Sequence, residues 1–195
     1  MSTHRAPVLQ VVVTSTRPGR IGGVVGSWFT DVARAHGGFD VRVSDLATLP
    51  LPLLDEEAEP WERRYTHAHT LAWSAAVEQA DAVVFVLPEY NSSFPASAKN
   101  AVDCLFQEWH DKPAGIVCYG NTSGGLRAAL AFRPVLSTVG MTVLRQQVTL
   151  QHAGRLVDGD VLRAQDDHDA AATGMLDELA RVAPHLAALR GARTA

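Results

Sequence analysis

Pro88-Glu89-Tyr90-Asn91-Ser92-Ser93-Phe94-Pro95-Ala96-Ser97-Ala98-Lys99-Asn100 follows directly on the apolar run of residues 82–87. A short apolar run rich in β-branched residues that passes straight into a proline-pinned polar loop reads as a buried strand ending at a ligand-bearing rim. In an open α/β sheet, small molecules bind beyond the carboxyl ends of the strands. Two other loops follow strands in the same way: residues 14–20 after residues 8–13, and residues 120–125 after residues 116–119. Three such loops on one rim make a site.

Outward from the central loop, short apolar runs alternate with longer helical patterns. Ile21, Val24, Val25, Trp28, Phe29 and Val32 recur at helical spacing, and His36-Gly37-Gly38 ends the pattern, which predicts a helix over residues 20–36. Residues 39–43 read as the second strand. Residues 49–60, with three prolines, read as a surface connection whose acids at 55–59 are solvated. Tyr65, His69, Trp73 and Val77 mark a second helix that stops at Asp81. Ala98, Val102, Leu105, Phe106 and Trp109 mark a third, and residues 114–119 the fourth strand. Residues 126–138 are helical in composition, but Pro134 is expected to kink or split them. Residues 141–148 supply the fifth strand, Asp158-Gly159-Asp160 a turn, and residues 167–189 a last helix interrupted near Pro184. Five strands alternating with helices predict a parallel sheet with right-handed crossovers.

Composition narrows the function. A chain of 195 residues with 47% apolar and 19% charged positions is expected to form a single domain, residues 1–195, with a sizeable core. The net charge of −4 and the scattered arginines argue against nucleic acid as a partner. No apolar run approaches the ~20 residues of a membrane span, and the polar start, residues 1–7, carries no targeting pattern, so a cytoplasmic protein without a membrane partner is expected. Cys104 and Cys118 sit in apolar stretches without metal-like spacing and read as reduced core thiols. His67 and His69, two apart on an expected helix, should point in different directions, and the remaining histidines are scattered, so no metal site is expected. Asn-Thr-Ser-Gly-Gly at 121–125 misses the G-x-S-x-G spacing of a hydrolase. Trp28, Trp73 and Trp109 fall on apolar stripes and read as packing residues.

The first loop points to chemistry. Thr14, Ser15 and Thr16 with Arg17 and Arg20 stand where the first strand meets a helix N-terminus, where free N–H groups and the helix dipole favour an anion and guanidiniums add charge-assisted hydrogen bonds. A phosphate ester fits. No G-x-G-x-x-G opens this helix and no G-x-x-x-x-G-K-[ST] string is present, so neither a dinucleotide fold nor a nucleoside triphosphatase is indicated. The bland alternative is that Ser15 caps the helix and the arginines are solvated.

Together the three loops resemble those of the NADPH-dependent FMN reductases of the flavodoxin-like superfamily, which include quinone, chromate and azo-dye reductases. Residues 14–20 resemble the phosphate loop, with Thr14 in place of a usual glycine. Pro88-Glu89-Tyr90-Asn91, with Phe94-Pro95 and Lys99-Asn100-Ala101-Val102-Asp103, resembles the flavin-ring loop, and Gly120 with Ser123-Gly124-Gly125 the third. The resemblance implies a flavodoxin-like three-layer α/β sandwich whose five-stranded parallel sheet has the order 2-1-3-4-5. It also implies an enzyme passing hydride from NADPH or NADH through FMN to a flavin, quinone or other electron-poor small molecule. Ser15, Arg17 and Arg20 with the N–H groups of Ile21 and Gly22 would hold the phosphate. Pro88, Glu89, Tyr90 and Asn91 would lie along the ring, and Gly120, Ser123 and Gly124 would approach its other side. Lys99 and Asn100 would brace the loop from behind. Catalysis would then rest on the flavin, with no protein residue as acid or base. A homodimer or homotetramer is expected from the same family. The alternative is a flavodoxin-like electron carrier or a non-catalytic flavin-binding protein, although two arginines in the phosphate loop lean towards a reductase.

Overall fold

The computed structural model describes residues 5–193; residues 1–4 of the polar start lie outside them. In chain order the elements are β1 Val8–Val13, α1 Gly22–His36, β2 Asp40–Asp45, α2 Ala68–Glu78, β3 Ala82–Pro88, α3 Ala96–Asp103 and β4 Pro113–Tyr119. They continue with α4 Leu126–Thr138, β5 Thr142–Val143, β6 Val148–Leu150, β7 Val157–Asp158, β8 Val161–Leu162 and α5 Asp166–Arg193. The main sheet is parallel, with the order β2-β1-β3-β4-β5 and β6 continuing along β4. β7 and β8 form a small antiparallel hairpin.

Alternating side chains on the central strands feed two cores. Val12, Val83, Phe85, Leu87 and Ile116 face α2, α3 and α4, where Trp73, Val102, Phe132 and Leu136 are buried. Leu9, Val11, Val84, Val86 and Val117 face α1 and α5, where Val25, Phe29, Met175 and Leu179 are buried. Each such side chain contributes about 1.5–3 kcal/mol by leaving water. Burial on both faces explains why these strands read as unbroken apolar runs. α1 lies close on β1, since a Cβ on Gly26 would come within 2.5 Å of Val13 Cγ2. The three rim loops therefore leave adjacent strands β1, β3 and β4 at one end of the sheet. Cys104 and Cys118 are buried and unpaired.

Several local expectations are corrected. Pro134 and Pro184 neither split nor interrupt their helices, because α4 and α5 run through them. The carbonyl that Pro134 deprives of a partner belongs to Leu130, which is exposed, so water can serve it. The third helix stops at Asp103, and Trp109 sits in a separate 3₁₀ turn, Gln107–Trp109. The reason is tertiary: the indole N–H groups of Trp73 and Trp109 donate to the carbonyls of Ala101 (2.8 Å) and Val102 (3.1 Å). The fifth strand is two short strands rather than one. Between them Arg133 of α4 donates to the carbonyls of Leu144 (2.7 Å) and Arg145 (3.3 Å) and to Gln147 Oε1 (2.9 Å). His67 and His69 do not diverge: His67 is extended backbone ahead of α2, and the two rings stack 5.1 Å apart beside Asp55. Nor is Glu56 a solvated acid, since it accepts from the amides of Thr66 (2.8 Å) and His67 (3.0 Å) at the start of α2.

Candidate functional site

The turn from β1 into α1 leaves polar groups unpaired. Among the described residues no side chain caps α1, whose N-cap residue is Ile21, so the capping role considered for Ser15 is not what the structure shows. Among the described residues, two buried side-chain polar atoms lack a hydrogen-bond partner, Ser15 Oγ and Arg20 Nη1. Buried polar atoms are rarely left this way, and two beside an open helix N-terminus mark a place for an anion. Arg20 is held there by β2, with Nη2 on Asp45 Oδ2 at 2.5 Å and its side chain 17% exposed. A Cβ on Gly23 would lie 3.7 Å from Nη1, so the guanidinium covers the first turn of α1. Arg17 is exposed and, among the described residues, donates only to the carbonyl of Pro18 at 3.2 Å.

Thr14, where a glycine is usual in the resembled loop, is buried and donates through its hydroxyl to Val86 O (2.8 Å), while Ser97 Oγ donates to Thr14 O. The first and second loops are thus stitched together. Asn100 ties the second to the connection after β2, donating to Pro52 O (2.7 Å) and accepting from Leu54 N (2.9 Å). Lys99 pairs with Asp103 one turn on.

Beyond Pro88 the chain makes a two-residue hairpin turn. Tyr90 and Ser93 exchange backbone hydrogen bonds (2.9 and 3.0 Å), and both intervening residues, Asn91 and Ser92, have positive φ (49° and 66°). Asparagine tolerates that region, and serine there is strained, which fixes the loop's shape. Glu89 turns away from the open rim. Its carboxylate accepts from Ser123 Oγ (2.6 Å), Arg127 N (3.1 Å) and Arg127 Nη1 (3.0 Å), with the side chain 9% exposed. Burial alone would raise this carboxyl, but the three donors outweigh it and hold it below its usual range. It serves the N-terminus of α4 and joins the second loop to the third.

A cleft of about 260 Å³ lies over these strand ends, and the structure brings Arg17, Arg20, Ile21, Pro88, Glu89, Tyr90 and Gly120 together on its walls. Ser15 and Gly22 are buried beneath the wall at the start of α1. Asn91 is exposed at the turn's tip. Ser123 is bound to Glu89, and Gly124, with φ 62°, packs so closely that a Cβ would come within 2.6 Å of Thr149 Cγ2. Tyr119, Asn121, Ala153 and Gly154 also line the cleft and were not singled out from the sequence. Tyr119 ends β4, where the pattern showed only a core residue. Ala153 and Gly154 follow β6, the strand that the expected single run concealed. On the outer side of the first loop a hollow of about 580 Å³ shares Arg17 and Arg20 with the cleft.

The chain is similar to several known proteins. A family model described as NADPH-dependent FMN reductase matches residues 8–155. An NAD(P)H-dependent FMN reductase of Schizosaccharomyces pombe is 38% identical over 121 residues, 61% of this chain and 60% of that protein. A quinone reductase of Escherichia coli is 32% identical over 146 residues, 71% of this chain and 74% of that protein. The chain spans 60% and 62% of the length of two of the FMN reductases it matches. Among solved structures, a flavoenzyme NAD(P)H:(acceptor) oxidoreductase from Paracoccus denitrificans superposes with a TM-score of 0.72 over 92% of this chain and 98% of that one, at 20% identity. A flavodoxin from the domain Archaea superposes with a TM-score of 0.57 over 91% of this chain and 100% of that one, at 12% identity. The fold is flavodoxin-like.

Proposed function

From the premise that the chain belongs to the NADPH-dependent FMN reductase family, we propose that it is an enzyme that binds FMN and passes hydride from NAD(P)H through it to a flavin, quinone or other electron-poor acceptor. The observation that carries this reading is the pair of orphaned buried atoms, Ser15 Oγ and Arg20 Nη1, beneath an uncapped helix start at the wall of a cleft over three strand ends. That donor set suits a phosphate monoester: a hydroxyl, a fixed guanidinium, a second exposed guanidinium on Arg17, and the helix N-terminus. In this reading Ser15, Arg17, Arg20 and the amides of Ile21 and Gly22 hold the phosphate, and Pro88, Glu89, Tyr90, Asn91, Gly120, Ser123 and Gly124 form or brace the ring site. When bound, the flavin ring supplies a two-electron centre between reduced nicotinamide and acceptor.

The protein's part is orientation. Glu89 keeps its charge at neutral pH and is engaged by three donors, so it fixes the relation of two loops instead of moving protons. The rigid turn at 90–93 offers a platform of constant shape to whatever stacks on it. The whole chain, residues 1–195, is proposed as one such domain. A homodimer or homotetramer belongs to the same reading, supported by Leu126 and Leu130, one turn apart on α4 just after the third loop and 43% and 58% exposed. A cytoplasmic location is proposed as well, since two free cysteines and a nicotinamide co-substrate suit a reducing compartment.

The test is anaerobic. Protein reconstituted with FMN should be yellow and should bleach within seconds of NADPH or NADH addition, then recolour on adding a quinone. A bound flavin that stays oxidised until a separate reductase is added would make the protein a carrier, and failure to take up FMN at all would overturn the reading.

A further inference from the structure

Tyr119 is the last residue of β4, aligned in parallel register with Pro88 of β3 and Leu150 of β6. Its side chain faces the α1 layer, the residue is 5% exposed, and it lines the cleft. Its hydroxyl and the Ser15 hydroxyl flank the same spot, since a Cβ on Gly22 would fall 2.4 Å from Tyr119 Oη and 2.0 Å from Ser15 Oγ. Gly22, the first residue of α1, is what makes room for both. Burial pushes the phenol up to about 12, with Ser15, Arg20 and Arg17 pulling the other way, so the group remains a neutral O–H at physiological pH.

We infer that Tyr119 is a positioning residue for the phosphate of the bound mononucleotide: its hydroxyl stands beside Ser15 Oγ, which has no partner in the structure, and donates to it when the Ser15 proton turns to a phosphate oxygen above the start of α1. This rests on the proposed FMN site and deepens it. A hydroxyl that accepts from one neighbour becomes a better donor to the next, so the pair acts as a unit. The arrangement also links the two halves of the site, because the ring of the same tyrosine forms part of the cleft wall. Tyr119 thereby contributes to the preference for a phosphorylated flavin over an unphosphorylated one.

The experiment compares FMN and riboflavin, the same ring with and without phosphate, by quenching of flavin fluorescence on titration with wild type, Tyr119→Phe, Ser15→Ala and the double variant. Tyr119→Phe should weaken FMN about 5- to 10-fold, the usual worth of one hydrogen bond, and leave riboflavin within twofold. Ser15→Ala should do the same or more, and the double variant should lose no more than Ser15→Ala alone, as for residues acting through one another. Equal losses for FMN and riboflavin, fully additive losses in the double variant, or FMN binding unchanged by Tyr119→Phe would each overturn the inference while leaving the FMN site standing. Wild type that binds neither flavin would instead overturn the site, and the inference with it.

Discussion

Gly22 shows how much of the candidate site depends on a single missing side chain. Because a Cβ there would fall within 2.0 Å of Ser15 Oγ, Gly22→Ala must push the serine or the phenol aside. We expect a stability loss of about 1–3 kcal/mol, the usual cost of overpacking, together with at least a tenfold loss of FMN affinity. Thermal unfolding and flavin titration on the same sample would show both, and unchanged FMN affinity in a folded variant would contradict the placement. The role of Ser15, Arg17 and Arg20 is proposed, but their position at a strand-to-helix junction was legible in the sequence, because the strand and helix patterns on either side mark it. Asp45 and Arg127 were not. Each is a partner supplied from far along the chain, 25 residues from Arg20 and 38 from Glu89, and no local pattern encodes such a pairing. Tyr119 was hidden for a different reason, since a tyrosine at the end of an apolar strand satisfies the core pattern and leaves its hydroxyl unremarked.

At the level of elements, the strands were legible because burial on both faces demands continuous apolarity, and the helices because one face each must meet the sheet. Their ends were legible only where local chemistry decides them. Gly37, left-handed at φ 74° after α1, is such a case. The end of α3 is not, being set by indoles from residues 73 and 109, nor is the break between β5 and β6, set by Arg133. The start of α2 carries a pH-dependent prediction. Burial works to raise the Glu56 carboxyl, but hydrogen bonds from the Thr66 and His67 amides and the Thr66 hydroxyl prevail and bring it down to about 2. A carboxyl bound more weakly by protons in the folded state stabilises it fully above the ordinary carboxylate range, and that stabilisation is lost as pH falls through about 4.5 towards 2. Glu56→Gln should therefore lower stability by about 1 kcal/mol at pH 7, as for loss of a helix cap. The gap from wild type should close below pH 4.5. Denaturant melts of both proteins across that range would reveal a constant gap if the carboxylate is not what holds the helix start.

For the whole molecule, the proposed oligomer turns on α4. Leu126 and Leu130 are exposed on α4, which begins directly after the third loop, and a subunit boundary there would lie next to that loop. Leu130→Glu should shift the protein towards monomer in light scattering with its circular dichroism preserved. Retention of the wild-type mass would rule α4 out as the contact. The sequence disclosed the layer order and the rim, because both follow from pattern and topology, but it disclosed no surface, since an exposed leucine and a core leucine read alike until the fold assigns them faces. The interrupted margin formed by β5 and β6 bears on the same matter. Where a continuous outer strand would offer a ladder of free amides and carbonyls to any passing chain, two of its carbonyls are instead occupied by Arg133, and the opposite margin, β2, carries Asp40 and Arg42. Both borders thus carry features that discourage edge-to-edge pairing, so crowding and partial unfolding should be better tolerated than with two bare edges.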